Sequence, residues 1–290
     1  MATHRVILLL LQVPVRGKTV SQEYVHIREL AGWALDASAY RPHALDSGRI
    51  SHARHIISER VFQSTNVVLE TETALLQDSL FGHALRPDLQ AEMAGLNWSL
   101  GVVDLRSLLA FQRRLAFNPS VPDIAVPSQT NWPALIELSF GPEKPVIYDL
   151  THCAETRSII LRSNDPNLHL RISNHRATPI TVHAGSPFFE VALYEGRWFL
   201  RDGYHRAYAL LQAGVFRLPA VIVEARTLAE LGATHPWFFP EETLLSLSPP
   251  YVIDFLNDAL TLDYDRPSLI KTLRVTMEET LAPATPGDAS

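Results

Sequence analysis

The spacing of apolar positions changes several times along the chain. Residues 6–15 (VILLLLQVPV) are an almost unbroken apolar run. The run is too short to cross a bilayer, and no small-residue cleavage site precedes Arg16-Gly17-Lys18, so the pattern predicts a buried strand rather than a signal peptide. Residues 26–33 (HIRELAGW) predict a short helix closed near Gly32. Residues 51–62 carry helical spacing, with Ile56, Ile57 and Val61 as the apolar members. Residues 71–80 and 86–96 also predict helices, and Pro87 suits the start of the second. Near Leu100 the texture changes: 101–105 predicts a strand and 106–117 (RSLLAFQRRLAF) an amphipathic helix. A connection through Pro119, Pro122, Pro127 and Pro133 reads as a linker or a long surface loop.

From residue 145 to 223 the period is mostly two. The predicted strands are 146–150, 158–161, 168–172, 180–183, 188–194, 197–200 and 220–223. Glu195-Gly196, between two apolar runs, predicts a tight hairpin turn. Ala220-Val221-Ile222-Val223 is unbroken apolar, as a strand buried on both faces requires. Thr227 and Glu230 have capping-box spacing and predict a short helix. An aromatic loop, His235-Pro236-Trp237-Phe238-Phe239-Pro240, precedes two predicted helices at 251–260 and 267–280, and the tail 282–290 has the composition of a disordered end. The elements together predict a mixed α/β (α+β) chain. It divides into an N-terminal mixed region 1–99, a compact domain 100–235, a helical C-terminal extension 236–281 and the tail.

Composition narrows the functional classes. With 290 residues, 47% of them apolar, the chain has ample material for one large core or two modest ones. A net charge of −6 without any Lys/Arg run argues against a dedicated DNA-binding surface, although a local basic groove can sit in an acidic protein. Cys153 is the single cysteine, so no intramolecular disulfide forms, and the expectation is a soluble cytoplasmic protein.

The densest chemistry lies in Arg201-Asp202-Gly203-Tyr204-His205-Arg206-Ala207, where the run 196–200 (GRWFL) gives way to a short helical run ending at Gly214. A glycine at a strand-to-helix turn lets backbone come close to a ligand, and the first N–H groups of the helix make an anion site. Arg206 would grip phosphate oxygens through its planar fork. His205 would donate a ring N–H, and Gly203 would permit the close approach. Asp202 is the candidate catalytic residue, able to accept a proton from a hydroxyl nucleophile or to orient Mg²⁺. Asp104 and Glu137 are candidates for a second carboxylate by position only.

With its flanks, residues 198–214 and 218–223, this stretch resembles the ParB/sulfiredoxin superfamily. That pattern is a strand, a glycine turn with H-R or R-R, a helix with an early alanine, a glycine, and a strand often preceded by proline. Val103-Asp104-Leu105 and Phe111-Gln112-Arg113-Arg114 resemble the family's first strand and the segment after it. Sulfiredoxins carry cysteine where this chain has Tyr204, so sulfinic acid reduction is not implied. ParB partition proteins follow the turn with a helix-turn-helix, for which 224–258 has no clear pair. The free serine kinases of the superfamily carry D-G-H-H-R, which Asp202-Gly203-Tyr204-His205-Arg206 matches at four of five places. The resemblance implies a ParB/sulfiredoxin-like domain at 100–235. It implies binding of a nucleotide (ATP, ADP or CTP) at Gly203, Tyr204, His205 and Arg206, with Mg²⁺ as companion. Transfer of a phosphoryl group to a small-molecule or protein substrate, or to water, would follow. A DNA-associated nucleotide switch and a non-catalytic interaction module are the alternatives.

Other candidates have plainer readings. His52 and His55 lie three apart on a predicted helix, a solvated face more often than a metal site. Cys153, beside His152 and near Asp149, reads as a small hydrophobe at a strand end. His175-Arg176 and His183 read as pocket walls or surface. Trp237-Phe238-Phe239 could stack a base but more often covers a core. Arg113-Arg114 would reach phosphate or face solvent.

Overall fold

A computed structural model of the chain describes residues 24–38, 40–42, 47–70, 74–119, 121, 123–141, 147–165, 168–172 and 180–279. The apolar run 6–15, the tail 282–290 and His175-Arg176 lie outside the described residues. In chain order the elements are β1 (Tyr24–Leu30), α1 (Ser47–Ser58), β2 (Val68–Leu69), α2 (Ala74–Ala84), α3 (Pro87–Glu92), β3 (Asn97–Asp104), β4 (Arg114–Phe117) and α4 (Trp132–Phe140). They continue with β5 (Asp149–Cys153), β6 (Ser158–Ser163), β7 (Leu168–Ile172), β8 (Ile180–Ala184), β9 (Glu190–Tyr194), β10 (Arg197–Asp202), α5 (Tyr204–Gln212) and β11 (Arg217–Glu224). The last are α6 (Leu228–Leu231), α7 (Glu241–Leu244), β12 (Thr261–Pro267) and β13 (Lys271–Thr276). This is a mixed α/β chain, as the sequence pattern predicts.

The described residues form two compact units, one within 24–141 and 186–267 and the other within 147–185 and 268–279. Boundaries at 100 and 236 do not coincide with these units. The larger unit holds a five-stranded sheet of order β10-β9-β11-β3-β2 and a three-stranded sheet of order β12-β1-β4. In the first sheet β11 runs parallel to β9 and antiparallel to β3. Its run Leu218 to Val223 is buried throughout, as the unbroken apolar pattern demands. Glu195 and Gly196 both have positive φ, 48° and 71°, the conformation of the two-residue turn predicted between β9 and β10. The smaller unit holds a β13-β6-β5 sheet and a β7-β8 hairpin around Leu161, Leu168 and Leu273. Among the described residues no helix is long and apolar enough to cross a membrane.

Several predicted helices are not helices. The segment 26–33 lies mostly in β1, where Val25, Ile27 and Glu29 are buried and Tyr24 and His26 exposed, a period of two. The segment 106–117 forms one 3-10 turn, Leu105–Ser107, and then extends into β4. Its backbone is claimed from both sides. Leu109 N–H donates to Trp198 O (2.8 Å), its carbonyl accepts from Leu200 N–H (2.9 Å), and Ala110 N–H donates to Pro250 O (2.8 Å). Tertiary pairing overrides a helical spacing here. The run 251–260 holds only a 3-10 turn, Val252–Leu256, and the described part of 267–280 contributes β13, so the C-terminal part sets α7 and that turn beside the strands β12 and β13 rather than forming a helical extension. Within the proline-rich connection lies α4, capped by the Asn131 side chain, which accepts from Ala134 N–H (3.3 Å), with Pro133 in its first turn. Thr227 caps α6 as predicted, accepting from Glu230 N–H at 3.1 Å.

Candidate functional site

The turn at Gly203 is a strand-to-helix junction. β10 ends at Asp202, Gly203 has φ +98° in the left-handed region, and α5 begins at Tyr204. Glycine is required twice. A Cβ would suffer the left-handed backbone, and it would lie 2.6 Å from the Phe189 ring. Ala207 N–H donates to Gly203 O (2.8 Å), which closes the first helical bond. The N–H groups of Tyr204, His205 and Arg206 lie ahead of that bond, as at any helix start.

Of the four side chains expected to act at the turn, Asp202 as catalyst and Tyr204, His205 and Arg206 on phosphate beside Gly203, two turn inward. The Tyr204 ring is buried, and its hydroxyl accepts from Phe111 N–H (3.0 Å) and Gln112 N–H (3.3 Å). Burial pushes that phenol well above the ordinary tyrosine range. Tyr204 therefore caps the extended segment that the sequence pattern predicts as a helix, and the turn keeps only its backbone N–H. The fork of Arg206, expected on phosphate, is instead occupied by three backbone carbonyls. Nη1 donates to Leu138 O (3.0 Å) and Pro187 O (2.8 Å), and Nη2 to Phe188 O (2.6 Å). These ties fasten the end of α4 and the approach to β9 to the first turn of α5. Burial lowers the proton affinity of this guanidinium.

The other two residues face outward. His205 is exposed; its Nε2 lies 3.0 Å from Ala116 O, a donor contact when Nε2 carries the proton, and its ring meets Phe117 edge-on at 5.5 Å. Asp202 has 40% of its side-chain surface open and lies 3.8 Å from Arg206. Burial first, and the charge of Glu190 second, push its carboxyl above the ordinary aspartate range. Arg206 and the N–H groups of Gly203 and Ser186 pull the other way. Water at the open edge limits the rise.

The second carboxylate is Glu190, which the motif does not contain. It is 1% exposed, the register partner of Asp202 on β9, and bound by Ser186 and Arg201. An acid inside the apolar run Phe188-Phe189-Glu190-Val191-Ala192 is the sequence signal that marks it. Neither positional candidate takes that place. Asp104 caps the 3-10 turn and binds Arg106, and Glu137 is exposed on α4.

The remaining candidates take other places in the fold. Arg113 is buried, with bonds to Phe238 O (3.0 Å) and Ala34 O and its guanidinium 4.3 Å above the Phe239 ring. Arg114 joins an ion network with Glu29 and Asp36. His55 pairs with Glu59 on the face of α1. Phe239 is in the core, while Trp237 is 43% exposed and stacked on His235 at 4.4 Å. Cys153 ends β5 at intermediate exposure. Among the described residues no group of three or more His, Cys, Asp or Glu is placed to hold a metal ion. Two shallow clefts lie apart from Asp202. One is at the β9–β10 turn beside Asn97 and Arg226, the other beside His26, Phe117 and Asp265. Comparison with protein-family models, curated proteins and solved structures returns no match.

Proposed function

We propose that the Gly203 turn is the phosphate end of a nucleotide site of ParB/sulfiredoxin type, working in phosphoryl transfer to a hydroxyl or to water. The observation that supports this best is the left-handed Gly203 at the start of α5, beside a carboxylate half open to solvent. Phosphate oxygens would meet the N–H groups of Tyr204, His205 and Arg206 and the ring of His205. Arg206 would contribute its charge from behind the turn rather than a fork contact. Asp202 would accept the proton of the attacking hydroxyl.

Mg²⁺ fits this reading only as a companion of the nucleotide. The oxygens of Glu190 are engaged by Ser186 and Arg201, and no three-ligand cluster stands among the described residues. The ion would ride on phosphate oxygens and water, as Mg²⁺ commonly does, and it would neutralise charge on the transferring group. No protein ligand is assigned to it. A cytoplasmic setting, where nucleoside triphosphates are abundant, accords with this reading.

The engaged fork of Arg206 favours a second reading, a non-catalytic module that keeps the turn as a structural clamp. Calorimetric titration with ATP, ADP and CTP, with and without Mg²⁺, separates the two. Binding that weakens in His205→Ala and releases product supports the transferase reading. Binding without product supports the module. No binding to any of the three by folded protein overturns the nucleotide site.

A further inference from the structure

Glu190 is a buried acid directly beneath the turn, and the backbone explains why two neighbours converge on it. Between Leu200 and Asp202 the β10–β9 register shifts, and Arg201 drops out of the pairing. In a regular ladder adjacent residues point to opposite faces; a bulge lets two residues of one strand oppose one of the other. Arg201 and Asp202 thus both lie opposite Glu190, and Arg201 binds it. Arg201 binds one Glu190 oxygen while its Nε donates to Glu230 O at 3.0 Å, and the Ser186 hydroxyl binds the other. Arg206 faces Asp202 from α5, and Glu92 of α3 adds negative charge toward Glu190. Tyr204 is the remaining titratable neighbour, buried and hydrogen-bonded to backbone. Arg206 cannot close on Asp202 without leaving the three carbonyls that hold it.

We propose that Asp202 and Glu190 form an electrostatically coupled carboxylate pair, with Asp202 as the member that meets substrate and Glu190 as its positioning residue. The proposal rests on reading the turn as a phosphoryl-transfer site. Two carboxylates set against each other cannot both ionise cheaply, so the pair holds one proton more tightly than a lone aspartate does. The directions agree, since burial raises both groups and the charge of Glu190 raises Asp202 further. Such a pair makes Asp202 a stronger base once ionised, and more nearly matched to neutral pH. In the step it serves, the substrate O–H bond breaks and its proton passes to Asp202. The oxygen forms a bond to the terminal phosphorus of a nucleoside triphosphate. The bond from that phosphorus to the bridging oxygen breaks, its electron pair leaving on the diphosphate.

Carbon-detected NMR titration of the side-chain carboxyls in ligand-free protein tests the pair without any nucleotide. Asp202 should titrate above the ordinary aspartate range, and Glu190→Gln should weaken its proton affinity by about tenfold or more. An ordinary midpoint for Asp202, or one unmoved by Glu190→Gln, overturns the pair. Should Glu190→Gln fail to fold, Asp202→Asn is read at Glu190, whose midpoint must fall correspondingly; an unmoved midpoint overturns the pair equally. In a turnover assay Glu190→Gln should move the acid limb of the kcat profile to lower pH and leave nucleotide Kd unchanged. Coupled titration in a protein that binds no nucleotide would sink the functional reading and leave the pair standing.

Discussion

Two places in the larger unit each set two carboxylates among two arginines, and they come out oppositely. In one, Glu29 and Asp36 meet Arg41 and Arg114. Arg41 donates to Glu29 Oε2 (2.9 Å) and Asp36 Oδ1 (2.7 Å), Arg114 reaches both acids, and Tyr264 adds a hydroxyl to Glu29 (2.9 Å). Burial pulls Asp36 upward, but the bonds from Arg114 and Arg41 outweigh it and hold its carboxyl below the ordinary range. In the other, Glu190 and Asp202 meet Arg201 and Arg206, yet Arg206 gives its hydrogen bonds to carbonyls and stays 3.8 Å from Asp202. There the carboxyl rises. The aim of the arginine forks separates the two, and the outer charges act in the same direction, Arg113 near Asp36 and Glu92 near Glu190. The first cluster is closed on itself and reads as structure. The second leaves an underneutralised acid at an open edge, which is what a proton-transfer site needs.

The largest effect should come from breaking the closed cluster. Glu29→Ala removes the fully buried acid and leaves Arg41 and Arg114 to share Asp36 alone, which should cost about 3 kcal/mol in urea unfolding. A loss under about 1 kcal/mol would mean that the cluster is not the cohesive element described. Arg206→Ala comes next. It leaves Leu138, Pro187 and Phe188 carbonyls without their donor, for a loss of about 2–4 kcal/mol. If Arg206→Ala instead keeps wild-type stability and loses nucleotide binding, its fork belongs to a ligand, and the contrast between the regions collapses.

That second outcome is what the sequence alone suggests, which shows where legibility ends. The strand, the glycine and the helix around 196–214 are readable because local rules converge there: an apolar run, a residue tolerant of positive φ, and helical spacing closed by Gly214. The strands β9, β10 and β11 are readable for the same reason, since they have period-two or unbroken patterns, but their order in a five-stranded sheet with β3 and β2 is not. The aim of a side chain is not local. Arg206 and Tyr204 look like ligand groups in a string of five residues, and only the return of 138, 187–188 and 111–112 to that spot turns them inward. Likewise 106–117 has helical spacing, but β10 and the segment at 250 claim its backbone. Glu190 is not among the sequence candidates, although it is an acid within an apolar run; its pairing with Asp202 depends on a register shift that no spacing rule shows.

The smallest predicted effect is also the sharpest on the contrast, because its sign differs between the regions. Asp36 has a folded proton affinity below its unfolded one, so its stabilisation is present above the ordinary aspartate pKa and is lost as pH falls through the lower folded value. Asp202 is the reverse. Its contribution is complete below the ordinary aspartate pKa and is lost as pH rises through the raised folded value. Unfolding free energy measured from acid to neutral pH should therefore fall less steeply, or rise more steeply, in Asp202→Asn than in wild type. The difference should be about 1–2 kcal/mol, kept small because solvent at the open edge of Asp202 screens it. Asp36→Asn should change the slope in the opposite direction, at the acid end only. Parallel curves for Asp202→Asn and wild type would place Asp202 in ordinary solvent, and the two regions would then differ in sequence but not in chemistry.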